Sequence, residues 1–321
     1  MNITIGVDVG GTNIVCGATD EAGRVLRKLK RSTEAHAGHE AVLGKIADMV
    51  RQIREDLGED YEATSVGVGV PGLVDPRAGV SKFAGNLKWR DIPVVSLLEQ
   101  QIGLPVFIDN DVRMYIYGEA VAGAGRGYEH VLGITIGTGI AAAIVNGGEL
   151  YYGHKAMAGE IGHVRMDGVD EDCACGLSGC LETVASASGM VRQAKKLLRE
   201  GRASVLNDWF PGDELERLSA ADLSKAMDAG DALASEIIVH AGELNGRALA
   251  AAAMVLSPDV IVVGGGGALA GERLLAPLRD ELYRLLLPDF REGLKVVTAE
   301  QNDDAGIIGS SLYAAHRSKS I

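Results

Sequence analysis

Three groups of residues in this sequence have the types and spacing to do chemistry. The run Asp109-Asn110-Asp111 follows a short apolar stretch and precedes a helical pattern. It therefore falls at the carboxyl edge of a predicted strand, the usual place for ligands in α/β folds. A carboxylate there can take a proton from a hydroxyl, although helix capping explains the run equally well, since Asp and Asn are favoured N-caps. The second group is three glycine turns: Gly10-Gly11-Thr12-Asn13, Gly137-Thr138-Gly139, and Gly264-Gly265-Gly266-Gly267. Such turns expose consecutive backbone N–H groups to which a phosphate can come close. Singly, each is more simply a tight turn; together, with the Thr12 and Thr138 hydroxyls, they could cradle a triphosphate and the edge of a nucleoside. The third group is His163, Cys173, Cys175 and Cys180, spaced H-x9-C-x-C-x4-C. Three thiolates and one imidazole match the tetrahedral habit of structural zinc, and Gly168, Gly176 and Gly179 let the loop fold back. A redox pair would read C-x-x-C; a chance cluster of small buried thiols is the plain alternative. Cys16 stands alone in a predicted strand and reads as core.

Periodicity supplies the elements that must hold these groups. Apolar stretches at residues 3–8, 14–19 and 25–30 predict a three-stranded meander turned by Gly10-Gly11, and helical spacing over 40–57 precedes a strand at 64–70 that stops at Pro71-Gly72. A buried strand at 104–108 leads into Asp109-Asn110-Asp111 and a helix to about residue 122. Strands at 131–136 and 140–145 flank Gly137-Thr138-Gly139 in an echo of the first hairpin, which predicts two similar halves facing each other across a cleft. Beyond these lie a long Ala-rich helix over 232–256, a strand at 260–263, a helix over 271–287, a short strand at 296–298 and a last helix over 305–318, expected to pack back on the first domain.

Composition narrows the function. The 321 residues are 47% hydrophobic, enough for two domains with cores. The longest apolar run, 248–256, is well short of the roughly 20 residues of a membrane helix. A net charge of −13 argues against nucleic acid, whose binding begins with phosphate neutralisation. No secretory signal pattern opens the chain, so a cytoplasmic protein with reduced thiols is expected. A P-loop is excluded by the lack of G-x-x-x-x-G-K-[ST], and G-x-S-x-G is missing too. Residues 264–270 loosely fit a dinucleotide-binding turn but lack the acidic residue expected at the end of the next strand.

The motifs in order, "DVGGTN", "PGLVD", "GNLKW", "DND", Gly118-Glu119, "GTG", "AGEIGH" and "CACGLSGCLE", span the chain and resemble the ROK sugar kinases, most closely their bacterial glucokinase branch. The resemblance implies an α/β, actin-like ATPase (ribonuclease-H-like) fold of two domains around a central cleft. The smaller domain would comprise 1–118 plus 303–321, and the larger 119–302 with the zinc loop. It also implies ATP-dependent phosphorylation of a hexose at the 6-hydroxyl, glucose first, in a homodimer or homotetramer. Asp111 would be the catalytic base, with Asn86, Asn110, Glu160, His163 and Glu182 as further sugar contacts. Asp8 would orient Mg2+, Gly10, Gly11, Thr12, Asn13, Gly137, Thr138 and Gly139 would form the phosphate loops, and Gly264, Gly265, Gly266 and Gly267 the adenosine side. His163 would turn one ring nitrogen to zinc and the other side of the ring to the sugar.

This sequence departs from that family where Val112-Arg113-Met114-Tyr115 follows the base, since relatives usually carry small or amide residues there. Arg113 could pair with an acid, touch phosphate or face solvent. Asn13 stands where many relatives have lysine. An N-acetylhexosamine kinase, for N-acetylmannosamine or N-acetylglucosamine, is the alternative. A ROK sugar-responsive regulator is disfavoured because the first strand begins at Ile3 and leaves no room for a helix-turn-helix.

Overall fold

The structure, a computed structural model, describes residues 1–319. β1 (Asn2–Val9), β2 (Asn13–Thr19) and β3 (Val25–Ser32) form the meander, followed by α1 (His39–Leu57) and β4 (Glu62–Val70). β5 (Leu73–Asp75), β6 (Val80–Ala84) and β7 (Trp89–Ile92) make a small antiparallel sheet, and α2 (Val94–Ile102), β8 (Val106–Asn110) and α3 (Asp111–Ala122) come next. β9 (His130–Ile136), β10 (Ile140–Asn146) and β11 (Glu149–Leu150) precede α4 (Glu182–Ala185), α5 (Ala187–Arg199), α6 (Leu206–Trp209), α7 (Ala220–Asp228) and α8 (Ala232–Leu256). The chain finishes with β12 (Val260–Gly264), α9 (Glu272–Leu285), α10 (Pro288–Arg291), β13 (Lys295–Thr298) and α11 (Ala305–Ser318).

The duplication expected from the two hairpins is a duplication of whole sheets. One runs β3-β2-β1-β4-β8 and the other β11-β10-β9-β12-β13, so the second repeats the first strand for strand. In both, the hairpin strand nearest the centre is extended by two parallel strands: β4 and β8 beyond β1, β12 and β13 beyond β9. β12 is apolar and buried throughout and β4 is buried from Ser65 on, as strands covered on both faces require.

The chain divides into two compact units. The first comprises Met1–Glu129, Ala143–Ala158 and the described residues from Ala299 on; the second comprises His130–Ala142 and Gly159–Thr298. A division after residue 118 would cut α3, which lies whole in the first unit, as do residues 143–158 and 299–302. The antiparallel sheet of β5, β6 and β7 was not foreseen, because "VSKFA" and "WRDI" mix charges with apolar residues and give no clean alternation. No helix of the described residues is long and apolar enough to cross a membrane.

α11 packs on β1, β4 and α3, as the sequence led us to expect of the last helix. Glycine in the middle of a strand normally weakens it, yet Gly17, Gly6 and Gly67 stand side by side across β2, β1 and β4. Gly6 and Gly67 admit the backbone of α11, and Gly17 the Ile307 side chain. A Cβ on Gly6 would lie 1.8 Å from the Ile307 carbonyl oxygen, and one on Gly67 1.8 Å from that of Ser310. We expect Gly67→Ala to cost at least about 2 kcal/mol through overpacking, read as a melting temperature lower by several degrees. Gly44→Ala on α1, where a Cβ meets nothing within 4 Å, is the control and should be neutral or slightly stabilising. Equal melting temperatures for the two variants would contradict this account of the helix seat.

Candidate active site and metal centre

β8 extends two residues further than the periodicity suggested, so Asp109 and Asn110 end the strand and Asp111 opens α3. Capping falls to Asn110, whose Oδ1 accepts the Arg113 N–H at 3.1 Å, while its Nδ2 donates to the Gly72 carbonyl at 3.0 Å and to Asp111 Oδ1 at 2.9 Å. Asp111 Oδ1 also accepts the Val112 N–H at 2.9 Å. Oδ2 of Asp111 has no hydrogen-bond partner among the described residues. With the cap supplied by its neighbour, Asp111 has one oxygen anchored and one free. Burial raises its pKa above the usual carboxylate value, against the opposing pull of these hydrogen bonds and of Arg113. A half-accessible carboxylate held in this way can accept a proton from a hydroxyl brought to its free oxygen.

Asp109 is different in kind. It is fully buried and accepts hydrogen bonds from the Asn110 N–H at 2.6 Å, Arg113 Nε at 2.6 Å and the Tyr152 hydroxyl at 2.7 Å. With no access to a substrate, it is not a second candidate base. Arg113 therefore pairs with an acid, one of the three roles the sequence left open.

Asp8, on the next strand but one from β8, is pushed up to about 7 by burial and, secondarily, by the charge of Asp111. A divalent cation beside Asp8 would offset both the burial of its charge and the repulsion from Asp111. Asp8 lines a cleft of about 490 Å³ in the first unit with Gly10, Gly11, Thr12 and Asn13. The turn is closed by Gly10 N–H to the Asn13 carbonyl at 2.9 Å, and Thr33 Oγ1 donates to the Gly10 carbonyl at 2.6 Å. Asn86 is exposed and lies against this turn, its Cβ 3.2 Å from where a Cβ on Gly11 would stand.

The same cleft contains residues that the sequence reading passed over: Lys28 and Lys30 from β3, Tyr115, and Asn302, Asp303 and Gly306. The two lysines alternate along β3 and so share a face, a signal present in the sequence but hidden in a basic run. Asn302 was not findable from its neighbours. It is held by Glu119, whose buried carboxylate accepts the N–H groups of Glu300 at 2.9 Å, Gln301 at 2.7 Å and Asn302 at 3.2 Å.

In the second unit, Thr138 is exposed between Gly137 and Gly139 and borders a cleft of about 510 Å³ with Ser188, Arg192 and Lys195. Gly265 has φ +83°, and a Cβ there would lie 2.7 Å from the Ile136 carbonyl oxygen. Gly267 is pressed on the same residue, whereas Gly266 is exposed with open space around it. Gly264 ends β12 and is buried. Tight packing on the end of β9 thus accounts for Gly265 and Gly267, and Gly266 alone presents its backbone.

The Cys3His set comes together. One ligand atom from each of His163, Cys173, Cys175 and Cys180 lies within 4.8 Å of the others. Cys175 Sγ is 3.6 Å from Cys180 Sγ, and Cys173 Sγ is 3.7 Å from His163 Nδ1. A tetrahedron with Zn–S bonds of about 2.3 Å has edges of about 3.8 Å, so the residues fit zinc. His163 turns Nδ1 to the cysteines and Nε2 toward Glu160, whose Oε2 is 3.7 Å away. Glu182 opens α4 with Oε1 3.3 Å from Cys173 Sγ and Oε2 accepting the Ile140 N–H at 3.4 Å. Glu160, His163 and Glu182 thus form one cluster supported by the cysteine loop.

An α/β fold of duplicated sheets places Asp8 near the end of the central strand β1, Asp109 and Asp111 at the end of the edge strand β8, and glycine turns at both hairpins, an arrangement suited to phosphoryl transfer. Residues 4–317 match the ROK family, and the chain belongs to it. It is 36% identical over 321 residues to a glucokinase of Halalkalibacterium halodurans, covering 99% of this chain and 96% of that one. It is 34% identical to a glucokinase of Thermotoga maritima, over 98% and 97% of the two chains. The solved ROK family glucokinase of Streptomyces griseus, in complex with glucose and AMPPNP, superposes with a TM-score of 0.83 at 33% identity, covering 98% of this chain and 99% of that one. The fold is therefore the actin-like ATPase fold expected from the sequence.

Proposed function

We propose that the protein is a glucokinase, transferring the γ-phosphoryl group of ATP to the 6-hydroxyl of glucose. The observation that carries the chemistry is the arrangement of Asp111: one oxygen anchored, one free, and a pKa raised by burial. The near full-length likeness to glucokinases supports the choice of hexose. In this reading the O–H bond of the 6-hydroxyl breaks toward Asp111 Oδ2, the sugar oxygen bonds to the γ-phosphorus, and the bridging O–P bond breaks to release ADP. Phosphoryl transfer of this kind is mostly positioning and electrostatic stabilisation. Gly10, Gly11, Thr12 and Asn13, with Gly137, Thr138 and Gly139, would offer backbone donors to the phosphates, and Gly266 would be the open member of the adenosine turn. Asp8 would hold Mg2+, through water, and the ion when bound would neutralise charge on the phosphate oxygens. Asn86 and Asn110, and separately Glu160, His163 and Glu182, are assigned to sugar hydroxyls. The cysteine loop would fix the ring orientation and tautomer of His163, as outer partners of a metal ligand do. We place the reaction in the cytoplasm, where ATP and reduced thiols coexist, and in a homodimer or homotetramer.

Turnover with MgATP over glucose, mannose, fructose, N-acetylglucosamine and N-acetylmannosamine tests the substrate. Glucose should give the highest kcat/KM. An N-acetylhexosamine preferred tenfold, or about 1.4 kcal/mol of transition-state stabilisation, would replace this reading with the N-acetylhexosamine kinase.

A further inference from the structure

Arg113 is the bulky departure from the family's sequence pattern, and nothing in the proposed chemistry uses it. Its guanidinium is 7% exposed and the Asp109 carboxylate 0%. Besides the 2.6 Å bond from Nε to Asp109 Oδ1, Nη1 donates to the Ala156 carbonyl at 2.9 Å, and the guanidinium lies over the Tyr152 ring, 5.5 Å from its centroid. Tyr152 in turn donates to Asp109 Oδ2 and is 3.0 Å from the Tyr313 hydroxyl on α11. The segment gripped in this way is strained. Lys155 and Ala156 both have positive φ, 53° and 55°, which non-glycine residues adopt only when their surroundings impose it. Four residues beyond Ala156 stands Glu160, assigned above to the sugar.

We propose that the Arg113 side chain is a positioning residue for phosphoryl transfer, locking the Asp109-Asn110-Asp111 corner and residues 152–156 into one rigid piece. The carboxylate that accepts Arg113 also fixes the Asn110 N–H, and Asn110 directs its amide onto Asp111. Orientation of the base is therefore transmitted through two hydrogen bonds from a charge pair that substrate never touches. The proposal rests on Asp111 being the base.

The test uses three variants and the hexose that the parent enzyme phosphorylates best. Arg113→Met leaves the buried Asp109 charge unpaired and is expected to melt lower. Arg113→Met combined with Asp109→Asn removes both charges and should recover most of the melting temperature. If Arg113 positions the base, this double variant keeps a kcat at least tenfold below the parent while the KM for ATP stays within about threefold. Arg113→Lys, which keeps the charge pair but loses the forked grip on Ala156, should recover part of the rate. A folded double variant with parental kcat, or a loss of rate in all three variants that simply follows melting temperature, would overturn the proposal. Asp111→Asn separates this from the underlying reading: its full activity would remove the base itself, whereas an inactive Asp111→Asn beside a fully active double variant would overturn only the role of Arg113.

Discussion

Asp111→Asn should lower kcat by roughly 10²- to 10⁴-fold, the usual contribution of a positioned general base, while leaving equilibrium hexose binding close to that of the parent. The substitution keeps the size of the side chain and its Oδ1, so the bonds from Asn110 and Val112 can persist. The helix cap is unaffected because Asn110 supplies it. Stability should respond in the opposite direction to rate. Burial holds the carboxyl of Asp111 above the ordinary aspartate range in the folded protein. Its favourable contribution is therefore fully present below the unfolded value and is lost as pH rises through the folded one. At neutral pH the charged side chain costs stability, so Asp111→Asn should melt no lower than the parent. For the same reason the parental kcat should fall on the acid side at a pH above the ordinary aspartate range. Melting curves, sugar titrations and kcat between pH 5 and 8, on the order of the carboxylate-to-histidine range, measure all three. An active Asp111→Asn enzyme would remove the catalytic assignment, and Asp109, buried and triply bonded, could not inherit it.

The second large effect should come from the metal. Purified protein is expected to carry about one zinc per chain, and Cys175→Ala should bind less than half of that. Cys175 is exposed, so the substitution removes little packing and any loss of stability reports on the ion. Structural zinc contributes its binding energy to folding. Here the second unit has a core of its own, so loss of about 3–5 kcal/mol is expected, a melting temperature lower by roughly 10 °C for a unit of this size. The KM for the hexose should rise with it, since Nε2 of His163 faces Glu160 only while Nδ1 is held among the cysteines. Protein that holds no zinc and keeps its melting temperature and sugar affinity would show that the four side chains are only neighbours.

Much of the site was legible because its chemistry is local. Four candidate ligands within 18 residues, with glycines between them, point to a closed metal loop from sequence alone. The hairpin turns could be read from glycine-rich turns between apolar runs, and the doubled hairpin already implied two similar halves. Asp109-Asn110-Asp111 was legible as a strand edge, but not which member did what, because a cap and a base use the same residue types.

Only the tertiary structure divided those roles. Burial took Asp109 out of contention and gave it to Arg113, Asn110 took the cap, and Asp111 was left with a free oxygen. Partners 43 and more residues away made that division: Ala156, Tyr152 and Tyr313 complete the network around Asp109, and no periodicity links them to it. Gly6, Gly17 and Gly67 of β1, β2 and β4 have their explanation only in α11, which lies on them. The sequence alone determined the α/β elements, the doubled hairpin and the candidate metal loop, since turn chemistry and hydrophobic period act over a few residues, while the fold class came from the ordered series of motifs along the chain. Which carboxylate is free, and which charge serves another, depended on packing between distant segments, because burial and the loss of water set the cost of each charge.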